Sequence, residues 1–228
     1  MILGTLTCLL AAGVVQAAEP APDRPLATAG GYLVASRTLE LEVGGLWKQG
    51  FTVPARVKFG AGKYFEPRVA VDLSGIDQRR PGLALEGKIG IAQQEGIGLS
   101  AFVASAFPVA DDERWYGTVR ALMSLPIKSA TLRANAGVDL GAKEGGGIAF
   151  GGVPVLVAME VPFGRTIGSW LEAGTVVEAA WQHAIFDGGL TWRVTDILVG
   201  DAGVGWDLAA DSPFVTVGLT ANLGRVGG

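Results

Sequence analysis

Phe214-Val215-Thr216-Val217-Gly218-Leu219-Thr220-Ala221-Asn222-Leu223 is the stretch that decides the fold. Successive strand side chains point to opposite faces, so Val215, Val217, Leu219, Ala221 and Leu223 make one apolar face. Thr216, Gly218, Thr220 and Asn222 make the other, which is small and polar. This is the alternation of a transmembrane barrel strand. Lipid cannot satisfy unpaired N–H and C=O groups, so a last strand of this type has to pair with the first.

Upstream, the period is two from Arg37 onward. Leu39, Leu41, Val43 and Trp47 alternate with Thr38, Glu40, Glu42 and Gly44. Phe51, Val53, Ala55, Val57 and Phe59 then alternate with Thr52, Arg56, Lys58 and Gly60, so Lys48-Gln49-Gly50 joins a hairpin. Further strands are predicted near Phe65–Leu73, Leu83–Ile91, Ile97–Phe107, Trp115–Leu125, Thr131–Leu140, Ile148–Val161, Ile167–Val177, Ile185–Val194 and Ile197–Leu208. With the closing strand the total is about twelve, an even number as bacterial single-chain barrels require. The expected fold is therefore all-β: a closed, antiparallel, up-and-down transmembrane β-barrel spanning residues 37–228.

Connection lengths alternate as such barrels demand, short on the periplasmic side and long outside, except that the first outer connection, Lys48–Gly50, is also short. Ala61–Tyr64, Gln93–Gly96, Pro126–Ser129, Gly164-Arg165 and Thr195-Asp196 are short, whereas Ser74–Gly82, Pro108–Arg114 and Gly141–Gly147 are longer. Aromatic residues gather at strand ends, with Trp47, Phe51, Trp115, Tyr116 and Trp206 at one rim and Phe59, Tyr64, Phe65, Phe163 and Trp192 at the other. Pro154 cannot donate to a central ladder, so a strand start near Val153 or a bulge at Gly151-Gly152 is expected, and Pro54 raises a milder form of the same conflict.

A sandwich exposed to water would also alternate. Glycine tips the balance, because Gly44, Gly90, Gly137, Gly174, Gly203, Gly205 and Gly218 all fall on the polar face. Glycine weakens a water-facing strand, but it makes room in a crowded lumen.

The chain has 228 residues, 35 of them Gly, and a net charge of -4, which argues against a nucleic-acid partner. Met1 to Ala17 reads as a secretory signal with an apolar Leu6–Val15 stretch, although no Lys or Arg precedes it. The only cysteine, Cys8, falls inside that segment. Residues 18–36, with Pro20, Pro22 and Pro25, read as a periplasmic linker ahead of the barrel. The expected location is the outer membrane.

Gly96-Ile97-Gly98-Leu99-Ser100-Ala101-Phe102-Val103-Ala104-Ser105-Ala106-Phe107-Pro108, Asn135-Ala136-Gly137-Val138-Asp139 and Asp201–Leu208 through Leu223 resemble the outer-membrane transporters associated with the meta-pathway of phenol degradation. Val57–Leu73 resembles that family's early hairpin. The resemblance implies an outer-membrane barrel that passes small molecules such as aromatic compounds. The closing pattern of Thr216, Gly218, Ala221 and Leu223 also resembles the signal read by the barrel-assembly machinery, with Leu223 in place of the usual aromatic.

Chemistry, if present, lies on the inward face. Glu40 and Glu42 face Arg56 and Lys58 across the first hairpin, followed by Arg68 and Asp72, then Glu86 and Lys88, and further round Arg120, Arg133, Glu160, Glu172 and Arg193. Arg or Lys facing lipid at mid-depth costs about 2–4 kcal/mol, so these residues are expected to line the lumen. They would form either a charged constriction that selects solutes or a structural ladder that fills the interior.

His183, the sole histidine, has no Ser close by in Trp181-Gln182-His183-Ala184-Ile185 to make a nucleophile pair. Asp111-Asp112-Glu113 has the chemistry to hold a hard cation but reads first as a solvated loop tip, and Gly145-Gly146-Gly147 lacks the Lys-Ser/Thr of a phosphate loop. The expectation is thus a monomeric, non-enzymatic channel contacting outer-membrane lipid and a small solute, without cofactor or metal. A closed-lumen structural barrel and an exported soluble β protein are the alternatives.

Overall fold

A computed structural model describes residues 29–72, 82–94, 96–107, 115–143, 146–177 and 183–226. The signal segment, the Asp111–Glu113 acids and Gly145 lie outside the described residues.

Thirteen strands follow one another around a single sheet: β1 (Thr38–Trp47), β2 (Phe51–Thr52), β3 (Pro54–Phe59), β4 (Phe65–Asp72), β5 (Gly82–Gln94), β6 (Ile97–Phe107), β7 (Tyr116–Ile127), β8 (Ala130–Ala142), β9 (Ile148–Phe163), β10 (Ile167–Val177), β11 (His183–Thr195), β12 (Leu198–Asp207) and β13 (Ser212–Arg225). β2 and β3 form one stave broken at Val53, beside Pro54, so the sheet has twelve staves. The break is the cost of a proline that cannot donate to its neighbour. β2 and β3 both pair with β1, each stave pairs antiparallel with the next, and β13 pairs with β1 to close the ring. The first and last strands register through Glu40↔Asn222, Glu42↔Thr220 and Gly44↔Gly218.

Burial follows the alternation. Leu219 is 51% exposed while Thr220 beside it is 3% exposed, and Val215, Val217 and Leu223 share the exposed side with Leu219. The same apolar outer face continues through Leu83, Leu85 and Ile89 on β5, Val155, Val157 and Met159 on β9, and Leu171 on β10. Trp47, Phe51, Tyr116 and Trp206 are exposed at one rim, and Tyr64, Phe65, Phe163 and Trp192 at the other. No helix among the described residues is long and apolar enough to cross a membrane.

The register shifts at four places among the described strands, at Leu39/Glu40, Gly90/Ala92, Asp139/Leu140 and Arg193/Thr195, and two of these bear on the interior. Between β8 and β9, Asp139 pairs with Gly152 and Leu140 with Phe150, so Gly151 is the extra residue. The β8–β9 register has no pairs for Gly137 and Val138, and Pro154 sits in that opening, where its missing donor is not required. On β5, the register shifts between Gly90 and Ala92, which turns Gln93 to the inside. The expected turn at Gln93 and Gln94 is instead the end of β5, and the extra residue exchanges the strand's two faces beyond Ile91.

Residues 29–36, the described part of the stretch read as a linker, turn back toward the barrel interior. A β-turn closed by Thr38 N–H to Ala35 O (3.0 Å), with Arg37 at φ 62°, folds the chain back, and the segment lies against inward side chains.

If the outer face meets lipid, Leu219→Arg should lower the stability of the barrel in vesicles by about 2–4 kcal/mol, read by urea titration of folding. An unchanged midpoint would mean that Leu219 faces water.

Candidate functional site

The interior is built from alternate residues of every stave, and its first wall is an ion-pair ladder. Register places Glu40 opposite Lys58 and Glu42 opposite Arg56, and then Arg68 opposite Glu86. Lys58 Nζ lies 2.8 Å from Glu40 and 2.5 Å from Glu42, with its side chain 0% exposed. Arg56 bridges onward to Glu42 (3.3 Å) and Glu86 (3.0 Å). The carboxylates of Glu40 and Glu42 therefore take their ion pairs from β3, while the seam offers neutral Asn222 and Thr220.

Lower on the same wall, Glu66 holds Arg68 at 2.5 Å and has Lys88 at 4.0 Å. Glu66 shares the face of Arg68 but lies at the start of its strand, where the alternation alone does not mark it as inward. Further round, Arg120 approaches Asp139 (3.5 Å), which also accepts from Thr118 Oγ1 (2.6 Å). Arg133 pairs with Glu160 at 2.9 Å. Asp72 is placed by its backbone, opposite Pro54 and Gly82. Glu172 and Arg193 fall on the inward parity of β10 and β11, with Glu172 directly opposite Asp187. Asp187, Asp201 and Asp207 are buried inward acids that sequence reading missed. Lys48 reaches across the rim to Asp207. His183 begins β11 with its backbone opposite Val176.

Large apolar side chains also point inward, against the simple rule of polar inside. Trp170, Leu122, Leu156, Phe102 and Phe214 are all nearly buried. Glycines make their room: a Cβ at Gly203 would meet the Trp170 ring at 2.6 Å, one at Gly205 would meet Phe214 at 2.3 Å, and one at Gly174 would meet Leu156 at 2.6 Å. Arg68 lies over the Phe102 ring at 5.6 Å. A cavity of about 50 Å³ persists where Glu42, Arg56, Asp201, Gly218 and Thr220 converge.

The remaining occupant of the interior is the chain itself. From Ala35 back to Ala29, the segment passes the inward side of β4, β5, β6, β7 and β8 in turn, half-way round the barrel. Val34 N–H donates to Glu66 Oε2 (2.6 Å) and Leu33 N–H to Gln93 Oε1 (3.1 Å). Lys88 Nζ donates to the carbonyls of Gly30 (2.9 Å) and Tyr32 (3.0 Å). The Gly31 carbonyl accepts from Ser100 Oγ (2.6 Å) and Gln93 Nε2 (2.9 Å), while its N–H donates to Ser124 Oγ (2.8 Å). Asn135, with its amide oxygen turned to Ala29, accepts from Ala29 N–H (2.7 Å) and donates to Ala29 O (3.0 Å). A segment without strand partners thus has its backbone satisfied by wall side chains, as burial requires.

This geometry can be set beside known proteins. No family model matches the chain, and no curated protein matches it in sequence. Among solved structures, the KdgM porin superposes with TM-score 0.67 at 8% identity, over 80% of this chain and 98% of that one. The NanC porin gives 0.58 at 10% identity, over 79% and 98%. Omp33 of Acinetobacter baumannii gives 0.54 at 8% identity, over 82% and 98%. The fold is that of the outer-membrane porins. At such identities the likeness extends to the fold alone, and none of these structures links the chain to phenol degradation. The interior of this barrel is tightly filled: Lys58, Lys88, Leu122 and Glu172 are each at most 2% exposed.

Removing one partner of a buried ion pair leaves a charge without compensation. Lys58→Met should therefore destabilise the barrel by roughly 3–5 kcal/mol, whereas adding Glu40→Gln and Glu42→Gln should recover most of that loss. Denaturant unfolding in detergent reads both; equal stability of the single and triple variants would count against the ladder.

Proposed function

We propose that this chain is an outer-membrane channel for passive passage of small solutes and not an enzyme, with both termini in the periplasm and the inward charges lining its path. The observation that carries this reading is the inversion of the barrel: an apolar outside suited to lipid around an inside rich in charges of both signs. A barrel whose interior served packing alone would gain nothing from so many buried charges, because apolar residues of similar volume are often neutral or stabilising replacements for a buried ion pair. The porin fold and the exported character of the sequence support the same compartment.

The charge balance bears on selectivity. The β10–β13 wall carries Glu172, Asp187 and Asp201 against Arg193, with Asp207 paired to Lys48, an acidic bias that favours cations in a narrow path. The resemblance to phenol meta-pathway transporters supplies small aromatic compounds as the candidate solute class. The oligogalacturonate named with one KdgM structure is a finding about that porin.

Burial of the inward side chains favours a second reading, a structural barrel with no path. Planar-bilayer recording separates the two. The full chain, the Glu42→Ala/Arg56→Ala variant and a barrel lacking residues 18–35 should all give discrete, cation-selective openings, with the two altered forms giving larger steps than the full chain. Asp201→Asn should move the reversal potential in a KCl gradient toward zero. Silence from all three barrels would overturn the channel in favour of the structural barrel.

A further inference from the structure

The hydrogen bonds to residues 29–34 share one property: every atom they engage on the segment belongs to the main chain. Glu66 and Ser124 accept from its N–H groups, Lys88 and Ser100 donate to its carbonyls, and Gln93 and Asn135 do both. An acid and a base are thus matched to the two polarities of a peptide unit, on successive staves. The β5 bulge belongs to this arrangement, since it is the register shift that brings Gln93 inside.

Side chains of the segment set its register instead of its bonding. Tyr32 lies over Gly98, where a Cβ would meet the ring at 2.7 Å, and Leu33 lies over Gly90, where a Cβ would meet its methyl at 3.0 Å. Gly31 passes closest to the wall: a Cβ there would fall 2.0 Å from the Gly98 carbonyl oxygen. Unlike the side-chain ladder of Lys58, this contact belongs to a segment tethered at one described point, the Ala35–Thr38 turn, so it can detach without breaking the barrel's strand pairing.

We infer that Glu66, Lys88, Gln93, Ser100, Ser124 and Asn135 form a binding site for an extended polypeptide main chain, that residues 29–35 are its tethered occupant, and that release of this occupant widens the path. The site itself stands on the bonds above; only the widening rests on the channel reading.

The test uses the barrel lacking residues 18–35 and a fluorescent peptide spanning Thr28 to Ser36. The peptide should bind saturably, and the same peptide N-methylated at Gly31, Leu33 and Val34 should bind at least about tenfold more weakly, having lost three donors. Conductance of the shortened barrel should exceed that of the full chain and fall when the native peptide is added. Equal binding of the two peptides, or no binding of either, overturns the site. Peptide discrimination without any conductance overturns the channel while leaving the site in place. If the shortened barrel does not refold, Gly31→Val in the full chain carries the test. Its side chain cannot fit against Gly98, so the Leu33 and Val34 amides should exchange about tenfold faster while the strand amides stay protected; unchanged exchange at Leu33 and Val34 overturns the inference.

Discussion

Pairing of β13 with β1 is the constraint on which the rest depends. Without it, the exposed Leu219 side would carry an open row of N–H and C=O groups, each costing several kcal/mol in lipid. Closure fixes the parity of every other stave, because a slip of one residue would turn Glu40 and Glu42 outward and Leu41 and Val43 inward. The charged ladder is thus a consequence of the seam: Glu40 and Glu42 point inward because Asn222 and Thr220 opposite them do.

Period-two alternation is a simple signal, and what it governs was legible. The closed barrel, the inward placement of Glu40, Glu42, Arg56, Lys58 and Arg68, and the bulge beside Pro154 follow from local sequence and the ban on open edges. What escaped was non-local or broke the alternation. Gln93 is inward only because of a bulge that no proline or glycine pair announces. Trp170, Phe102 and Phe214 violate the rule of polar inside, and their places become visible only against Gly203, Gly205 and the Arg68 guanidinium on nearby staves. Residues 29–36 have no period and few polar side chains, so the text of the segment holds no trace of bonds made through its main chain.

Glycine acquires a different meaning once the interior is seen. In an open lumen, glycines on the inner face would widen a path. Here they lie under Trp170, Phe214, the Asp201 carboxylate, Tyr32 and Leu33, so most of the space they release is taken up again by a larger neighbour. The same residues that argue for a crowded interior in the sequence therefore account for how that crowding is accommodated without straining the sheet.

Two kinds of filling result, and they differ in how they could yield. The Lys58 and Arg56 ladder joins side chains of adjacent staves, so opening it means separating buried opposite charges within a wall that cannot move apart. The segment's contacts join the wall to a strand-free stretch folded inward by one turn at Arg37. Detaching it exposes Glu66 and Lys88 to water together, and the two stay within ion-pair reach of each other, with Arg68 alongside. The charges that hold the segment would thus remain compensated in its absence. Of the two fillings, the segment is the one whose departure leaves no orphaned charge and no broken ladder.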